Sequence, residues 1–291
     1  MAAGKPSVLM QLDPDPQPSA FDAVVAIDAG VDHILRHGGV TPAQVRDLVY
    51  GAVFTRGPED LARTAIFVGG SSVSAGEDLL KAVTQTFFGP FRVSVLLDAN
   101  GANTTAAAAV LAALEGMGGS LDGVPVAVLA ATGPVGQRVA RLLAGLGAKV
   151  AIGSRKLDRA QAAAETIRAA TGRAVEPFAA EGVEALSREL AHCKVVIAAG
   201  ALGVCLLPLA VRQSVRDLKV AIDLNAVPPS GIEGVKPNDK GADRDGIRAW
   251  GALGVGAAKM KIHKRAIQEL FTANDKVLDA EQVLELGRRV S

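Results

Sequence analysis

The stretch Pro125-Val126-Ala127-Val128-Leu129-Ala130-Ala131-Thr132-Gly133-Pro134-Val135-Gly136 decides the fold, together with the helical run to residue 146 and the segment Lys149-Val150-Ala151-Ile152-Gly153-Ser154-Arg155-Lys156. Its first six residues suit a buried parallel strand, a glycine turn leads into a helix that Gly147 closes, and a second strand follows. A turn of this kind lets backbone approach a pyrophosphate closely and aims the free N–H groups of a helix start at it. The order therefore predicts a Rossmann-type dinucleotide-binding unit, with Thr132, Gly133, Pro134, Val135 and Gly136 as the phosphate turn. Ala131 stands where the usual pattern has its first glycine, so the turn departs from the common geometry at that point.

The tip of the second strand selects the cofactor. An acid there would accept hydrogen bonds from the ribose hydroxyls of NAD and repel a 2′-phosphate. The chain has Ser154, Arg155 and Lys156 instead, one hydroxyl and two cations that suit a phosphate ester, and NADP is the predicted cofactor. The plainer reading of the same residues is an ordinary strand-to-helix connection with two solvated cations.

At 291 residues and 49% hydrophobic content, the chain can bury a substantial core and is long enough for two domains. Lys and Arg number 31 against 30 Asp and Glu, without a long basic run, which argues against nucleic acid or an anionic membrane as partner. Cys193 and Cys205 lack metal-binding spacing, so reduced thiols and no metal are expected. The first six residues lack the apolar core of a signal peptide, and no run reaches about 18 uninterrupted apolar residues. A cytoplasmic small-molecule enzyme is the expectation.

The first hundred residues also alternate strand and helix. Residues 7–12 read as a strand, Ser19-Ala20-Phe21-Asp22 as a capping box opening a helix through Ile27, and Thr41-Pro42 as a second helix start. Strands follow at residues 64–68, ending in Gly69-Gly70, and at 92–97, with a helix over 74–87 between them. Asp98-Ala99-Asn100-Gly101-Ala102-Asn103-Thr104-Thr105 then opens an alanine-rich helix, and Gly118-Gly119-Ser120-Leu121-Asp122-Gly123 reads as a joint. Beyond the first nucleotide-binding unit come helices at 158–171 and 183–191 and strands at 174–178, 195–199 and 220–224, all fitting a parallel sheet. The predicted class is α/β: a substrate domain over 1–120 and a Rossmann-type parallel sheet over 121–256. The helices of 257–291 would follow the completed sheet and fold back to the joint or the first domain.

Ligands in open α/β sheets lie off the carboxyl ends of the strands. In the first domain those ends carry Asp13, Asp98, Asn100, Asn103 and Thr104, amide, hydroxyl and carboxylate groups that suit a neutral heterocycle with many N–H and C=O groups. The structural alternative is that Asn100-Gly101 forms a turn and Thr104 caps the next helix. Gly200 and Asn225 sit at the corresponding places in the second domain and join the cofactor set. In the helix over 256–271, positions 259, 263, 266, 267 and 270 share one stripe, so Lys259 and His263 continue the buried face after the flexible run Gly251-Ala252-Leu253-Gly254-Val255-Gly256. A Lys four residues before a His there is a candidate active-site pair, set against a snorkelling Lys and a structural His.

With those residues in view, the chain resembles the bacterial NADP-dependent methylene-tetrahydromethanopterin dehydrogenases, relatives of the methylene-tetrahydrofolate dehydrogenases. The likeness runs through Ser19-Ala20-Phe21-Asp22, Thr55-Arg56-Gly57, Thr64-Ala65-Ile66-Phe67-Val68-Gly69-Gly70, Phe87-Phe88-Gly89-Pro90-Phe91-Arg92-Val93-Ser94, Asn103-Thr104-Thr105-Ala106, Thr132-Gly133-Pro134-Val135-Gly136, Arg155-Lys156-Leu157-Asp158 and Gly251-Ala252-Leu253-Gly254. It implies oxidation of a methylene bridge between two pterin nitrogens to a methenyl cation, with hydride passing to NADP and tetrahydromethanopterin or tetrahydrofolate as carrier. It also implies a homotrimer, a cleft between domains completed by a neighbouring subunit, and Phe21, Thr105, Lys259 and His263 as active-site residues. The folate enzymes that also hydrolyse the product use a Tyr-x-x-x-Lys pair; the sole tyrosine, Tyr50, is followed by Phe54, so no cyclohydrolase activity is expected. A shikimate- or quinate-type dehydrogenase and a non-enzymatic NADPH sensor are the alternatives. The former would want a Lys and an Asp poised for proton transfer in the first domain, and Lys5 and Lys81 are not at strand ends.

Changing Arg155 and Lys156 together to Ala should lower kcat/KM for NADP by about tenfold or more and leave NAD little changed, since each charge-assisted hydrogen bond is worth roughly 1.5–3 kcal/mol. Initial rates with both nucleotides check this, and an equal loss with NAD would remove the assignment.

Overall fold

The structure, a computed structural model, describes residues 4–290. By internal contacts the described chain divides into two units, residues 4–104 with 260–290, and residues 105–259. The division falls within two helices, and the glycine-rich segment 118–123 lies inside the second unit.

The first unit runs β1 (Val8–Leu12), α1 (Ala20–Asp28), β2 (His33–His37), α2 (Pro42–Val53), β3 (Thr64–Val68), α3 (Val73–Thr86), β4 (Ser94–Leu97) and the start of α4 (Ala102–Gly116). Late in the chain it regains a short strand, β12 (Val277–Leu278), and a helix, α10 (Ala280–Arg288). Among the described residues its sheet has the order β12-β4-β3-β1-β2, with every pairing parallel. Strands β3 and β4 are buried along their whole length, as parallel strands covered on both faces require. Helix starts follow the sequence signals. Ser19 Oγ accepts the Asp22 N–H at 3.3 Å, and Gln44 Oε1 accepts the Thr41 N–H at 2.8 Å ahead of Pro42.

The second unit runs β5 (Pro125–Leu129), α5 (Pro134–Gly145), β6 (Lys149–Ser154), α6 (Leu157–Thr171), β7 (Glu176–Ala179), α7 (Val183–Leu190), β8 (Val195–Ala198), α8 (Leu209–Ser214), β9 (Val220–Asp223), β10 (Lys240–Arg244), β11 (Ile247–Trp250) and the first part of α9 (Ala252–Leu270). Its strand order is β10-β11-β9-β8-β5-β6-β7. The chain adds strands outward from β5 through β6 to β7 and then reverses through β8 and β9, so the switch point lies between β5 and β8. In the first sheet the corresponding reversal lies between β1 and β3. Crevices at such points are where open α/β sheets take ligands.

Several sequence expectations need correcting. The second sheet is not wholly parallel, because β10 pairs antiparallel with β11. Strand β4 begins at Ser94 rather than Arg92, and β2 gives no sequence signal because its residues mix polar and apolar without a buried face. The C-terminal segment follows the completed second sheet and joins the first unit, as expected, but on the way it adds a strand the sequence did not show, β12, parallel to β4. Nor is the run from Gly251 to Gly256 flexible. It is the opening of α9, whose first N–H groups need acceptors from outside the helix. Pro237 O accepts from Leu253 at 2.9 Å and Asp239 O from Gly251 at 3.0 Å, so residues 236–239 lie directly on the helix start.

That approach requires glycine. A Cβ on Gly254 would fall 2.0 Å from the Asp239 carbonyl oxygen, and one on Gly251 2.0 Å from that of Lys236. Backbone cannot yield as a side-chain tip can. Gly254→Ala should therefore destabilise the protein by about 1–3 kcal/mol, the usual range for overpacking a filled site, seen as a lower urea midpoint; an unchanged midpoint would mean that residues 236–239 shift freely.

Candidate functional site

In the second unit the strand register sets the cofactor turn. Leu129 of β5 pairs with Gly153 of β6 and with Ala198 of β8, and Ala198 pairs with Asp223 of β9. The four carboxyl ends are level, and Thr132 to Gly136, Ser154 to Lys156, Gly200 and Asn225 leave the sheet side by side. The unusual Ala131 is explained by its neighbour: Ala130 takes the left-handed conformation, φ 56°, at a cost of about 1–2 kcal/mol, while Ala131 is fully buried. Gly136 is needed, since a Cβ there would fall 2.7 Å from Ala131 Cα. Helix α5 thus starts on top of the turn, with Gly133 as N-cap and Pro134 at its first position.

Ser154 is buried, and Arg155 and Lys156 after it are exposed. This is a cradle of backbone beside two exposed cations, and its donor set fits a dinucleotide carrying an extra phosphate. Gly200 lies close against Ala130, where a Cβ would meet the alanine methyl at 3.2 Å. Asn225 closes its own loop: its Oδ1 accepts from Val227 N–H and its Nδ2 donates to Pro229 O, both at 3.0 Å. Asp223 holds that loop from below, accepting N–H groups of Asn225 and Ile232 at 3.0 Å each, and burial pushes its carboxyl above the usual range. Sequence reasoning missed it, though an acid ending an apolar strand was a signal. Burial pushes the Cys193 thiol up to about 11, which makes it a poor nucleophile.

In the first unit the structure collects the polar cluster and turns much of it inward. Asp13 is fully buried and accepts from Asp15 N–H at 2.9 Å and Ser19 N–H at 3.1 Å. Asp98 accepts from Thr104 twice, N–H at 3.0 Å and Oγ1–H at 2.7 Å. Asn103 Nδ2 donates to Leu97 O at 2.7 Å and to Asp279 Oδ1 at 3.0 Å, which ties β4 to the start of α10. Asn100 is exposed in a left-handed turn, φ 54°, and Thr105 is half-buried on α4.

The stripe on α9 is as expected. His263, Ala266, Ile267 and Leu270 are fully buried, Lys259 is half-buried, and Lys261 and Gln268 face outward. His263 stacks on Phe67 with ring centroids 5.7 Å apart and 20° between planes, and lies 6.3 Å from the ring of Phe21. Its Nδ1 is 3.9 Å from Asp98 Oδ2. Phe21, half-exposed on α1, is therefore joined to α9 from the opposite end of the chain. Two supports were missed in sequence. Gln11 is a buried amide in an apolar strand; it donates to Ser19 O at 3.2 Å and accepts from Arg36 Nε at 3.1 Å, and Arg36 also reaches Pro18 O. Together they fix the loop that leads into Phe21. Phe67 gave no signal, since every residue of β3 is buried.

Residues 20–100 match the N-terminal family of methylene-tetrahydromethanopterin dehydrogenase. The chain is 46% identical over 286 residues to the bifunctional protein MdtA of Methylorubrum extorquens, covering 98% of this chain and 99% of that one. It is 30% identical to an NAD(P)-dependent methylenetetrahydromethanopterin dehydrogenase of the same organism, with 98% and 99% covered. Among solved structures, a quinate dehydrogenase from Corynebacterium glutamicum in complex with NAD superposes with a TM-score of 0.53 at 17% identity, over 98% of this chain and 100% of that one. That likeness concerns the fold alone. The sequence matches along nearly the whole length carry more: the chain belongs to the methylene-tetrahydromethanopterin dehydrogenase family.

Proposed function

We propose that this protein oxidises methylene-tetrahydromethanopterin to the methenyl form with NADP, residues of α1, α4 and α9 binding the pterin and the strand ends of the second sheet the cofactor. The observation that carries the reading is the meeting of Phe21 and His263, rings 6.3 Å apart, in a chain of this family. NADP, when bound, supplies the hydride acceptor. The chain's own residues bind and orient: the turn Thr132 to Gly136 takes the pyrophosphate, and Ser154, Arg155 and Lys156 take the 2′-phosphate and favour NADP over NAD. Gly200 keeps the β8 loop close to the turn.

On the pterin side, Phe21 offers a half-exposed ring for stacking on the heterocycle, and Thr105 supplies a hydroxyl. No proton has to move, because the hydride leaves with both electrons of its bond, so orientation dominates the catalysis. Lys259 binds and orients electrostatically, and His263 one turn later supports it. An ammonium near the reacting carbon opposes the cationic product, whereas one nearer the nicotinamide favours transfer.

Tetrahydrofolate is the second carrier in this proposal, as it shares the reacting centre. Tyr50 packs on Phe54, ring centroids 5.4 Å apart, with no lysine four residues on, so hydrolysis of the methenyl product is not part of it. A homotrimer in the cytoplasm completes the proposal.

Purified protein with NADP and either methylene-pterin should form NADPH and the methenyl product together, followed by absorbance. NADP binding without turnover of either pterin would overturn the proposal. Phe21→Ala should raise KM for the pterin by about tenfold, the loss of one aromatic contact, and leave the NADP Kd unchanged; equal loss of both would place Phe21 outside the pterin site.

A further inference from the structure

Asp98 and His263 have fully buried side chains, although hydride transfer calls for neither an acid nor a base. Both Asp98 oxygens accept hydrogen bonds from Thr104. The imidazole of His263 links this carboxylate to Phe21: Asp98 Oδ2 is 3.9 Å from Nδ1, and the His263 ring is 6.3 Å from that of Phe21. A charge buried in this way is poorly screened and acts over several ångströms.

We propose that Asp98 is a countercharge, which favours the cationic methenyl form of the pterin over the neutral methylene form without touching either. The inference rests on the pterin reading above. In the reaction the methylene C–H bond breaks, both electrons leave with the hydrogen for the nicotinamide of NADP, and the positive charge stays shared between the carbon and its two nitrogens. No proton is released or taken up. The transition state already carries part of that charge, so a negative charge held in place before the reaction lowers the barrier to oxidation. Lys259, one turn before His263, bears the opposite sign, and where it lies near the reacting carbon Asp98 offsets its repulsion of the product. The role differs from direct hydrogen bonding to substrate, which the two hydrogen bonds from Thr104 and complete burial disfavour.

The test is calorimetric binding of the methylene and methenyl forms of whichever pterin turns over in the assay above, without NADP so that neither form reacts. Asp98→Asn keeps the shape and removes the charge. It should weaken methenyl binding on the order of tenfold, as expected for a unit charge at roughly 10 Å and an effective dielectric near 20. Methylene binding should change by less than about twofold, and Asp98→Glu should retain the preference for the cation. Equal weakening of both forms by Asp98→Asn would mark a structural post and overturn the proposal, as would no change in either. Should that variant fail to fold, wild-type protein decides: equal affinity for the two forms overturns the proposal, and clear preference for methenyl supports it. A wild type that binds neither form removes the pterin reading itself, an outcome distinct from the others.

Discussion

Parallel strands end in backbone that no neighbour satisfies, and in this protein the same device meets that constraint three times: a buried aspartate at or just beyond a strand's carboxyl end. Asp13 after β1 accepts two loop N–H groups, Asp98 after β4 accepts the Thr104 N–H and hydroxyl, and Asp223 at the end of β9 accepts two more. Buried polar backbone left unpaired would cost about 1–3 kcal/mol per group, so these carboxylates fix where each loop can run. The ligand-facing loops are held from underneath. The groups proposed to meet small molecules, Phe21, Thr105, Lys259, Arg155 and Lys156, are exposed or half-exposed instead.

This explains why the site was only partly legible. The types and places of Asp13, Asp98, Asn103 and Thr104 were apparent in sequence, because strand ends are easy to find in an apolar alternation. Which way each side chain turns was not, since the partners of Asn103 and Asp98 include Asp279 and His263, more than 150 residues away. The helical stripe on α9 needed only local spacing; of Lys261, Lys264, Arg265 and Gln268, which the spacing places opposite, Lys261 and Gln268 are exposed and Lys264 and Arg265 half-buried. Helix-start chemistry was equally plain at Ser19 and Thr41.

The same contrast runs through the fold. The β5–α5–β6 unit announced itself because strand length, glycine turn and helix agree. β2 did not, because an edge strand that exposes His33, Leu35 and Arg36 has no periodic apolar face, and two-residue β12 is below any pattern. The opening of α9 read as flexible because glycines at 251, 254 and 256 usually mean freedom. At 251 and 254 they mean the opposite. Carbonyls of residues 236–239 approach so closely that any side chain would collide, and the glycines record a contact made by backbone 12 or more residues earlier.

Charge placement ties these threads to chemistry. In the proposed reaction a hydride moves and no proton does, so the value of ionisable groups lies in the field they set and in how little they rearrange while charge develops. In the proposed reading, exposed Arg155 and Lys156 answer a ligand charge that never changes, the 2′-phosphate, and direct contact would keep solvent screening small. Asp98 stands in the opposite position. The charge it would answer appears only during the reaction, so it must be present beforehand, fixed in position and shielded from water. Complete burial, two hydrogen bonds from one threonine and a neighbouring imidazole stacked on Phe67 meet those three conditions with residues from the end of β4, from α4 and from α9.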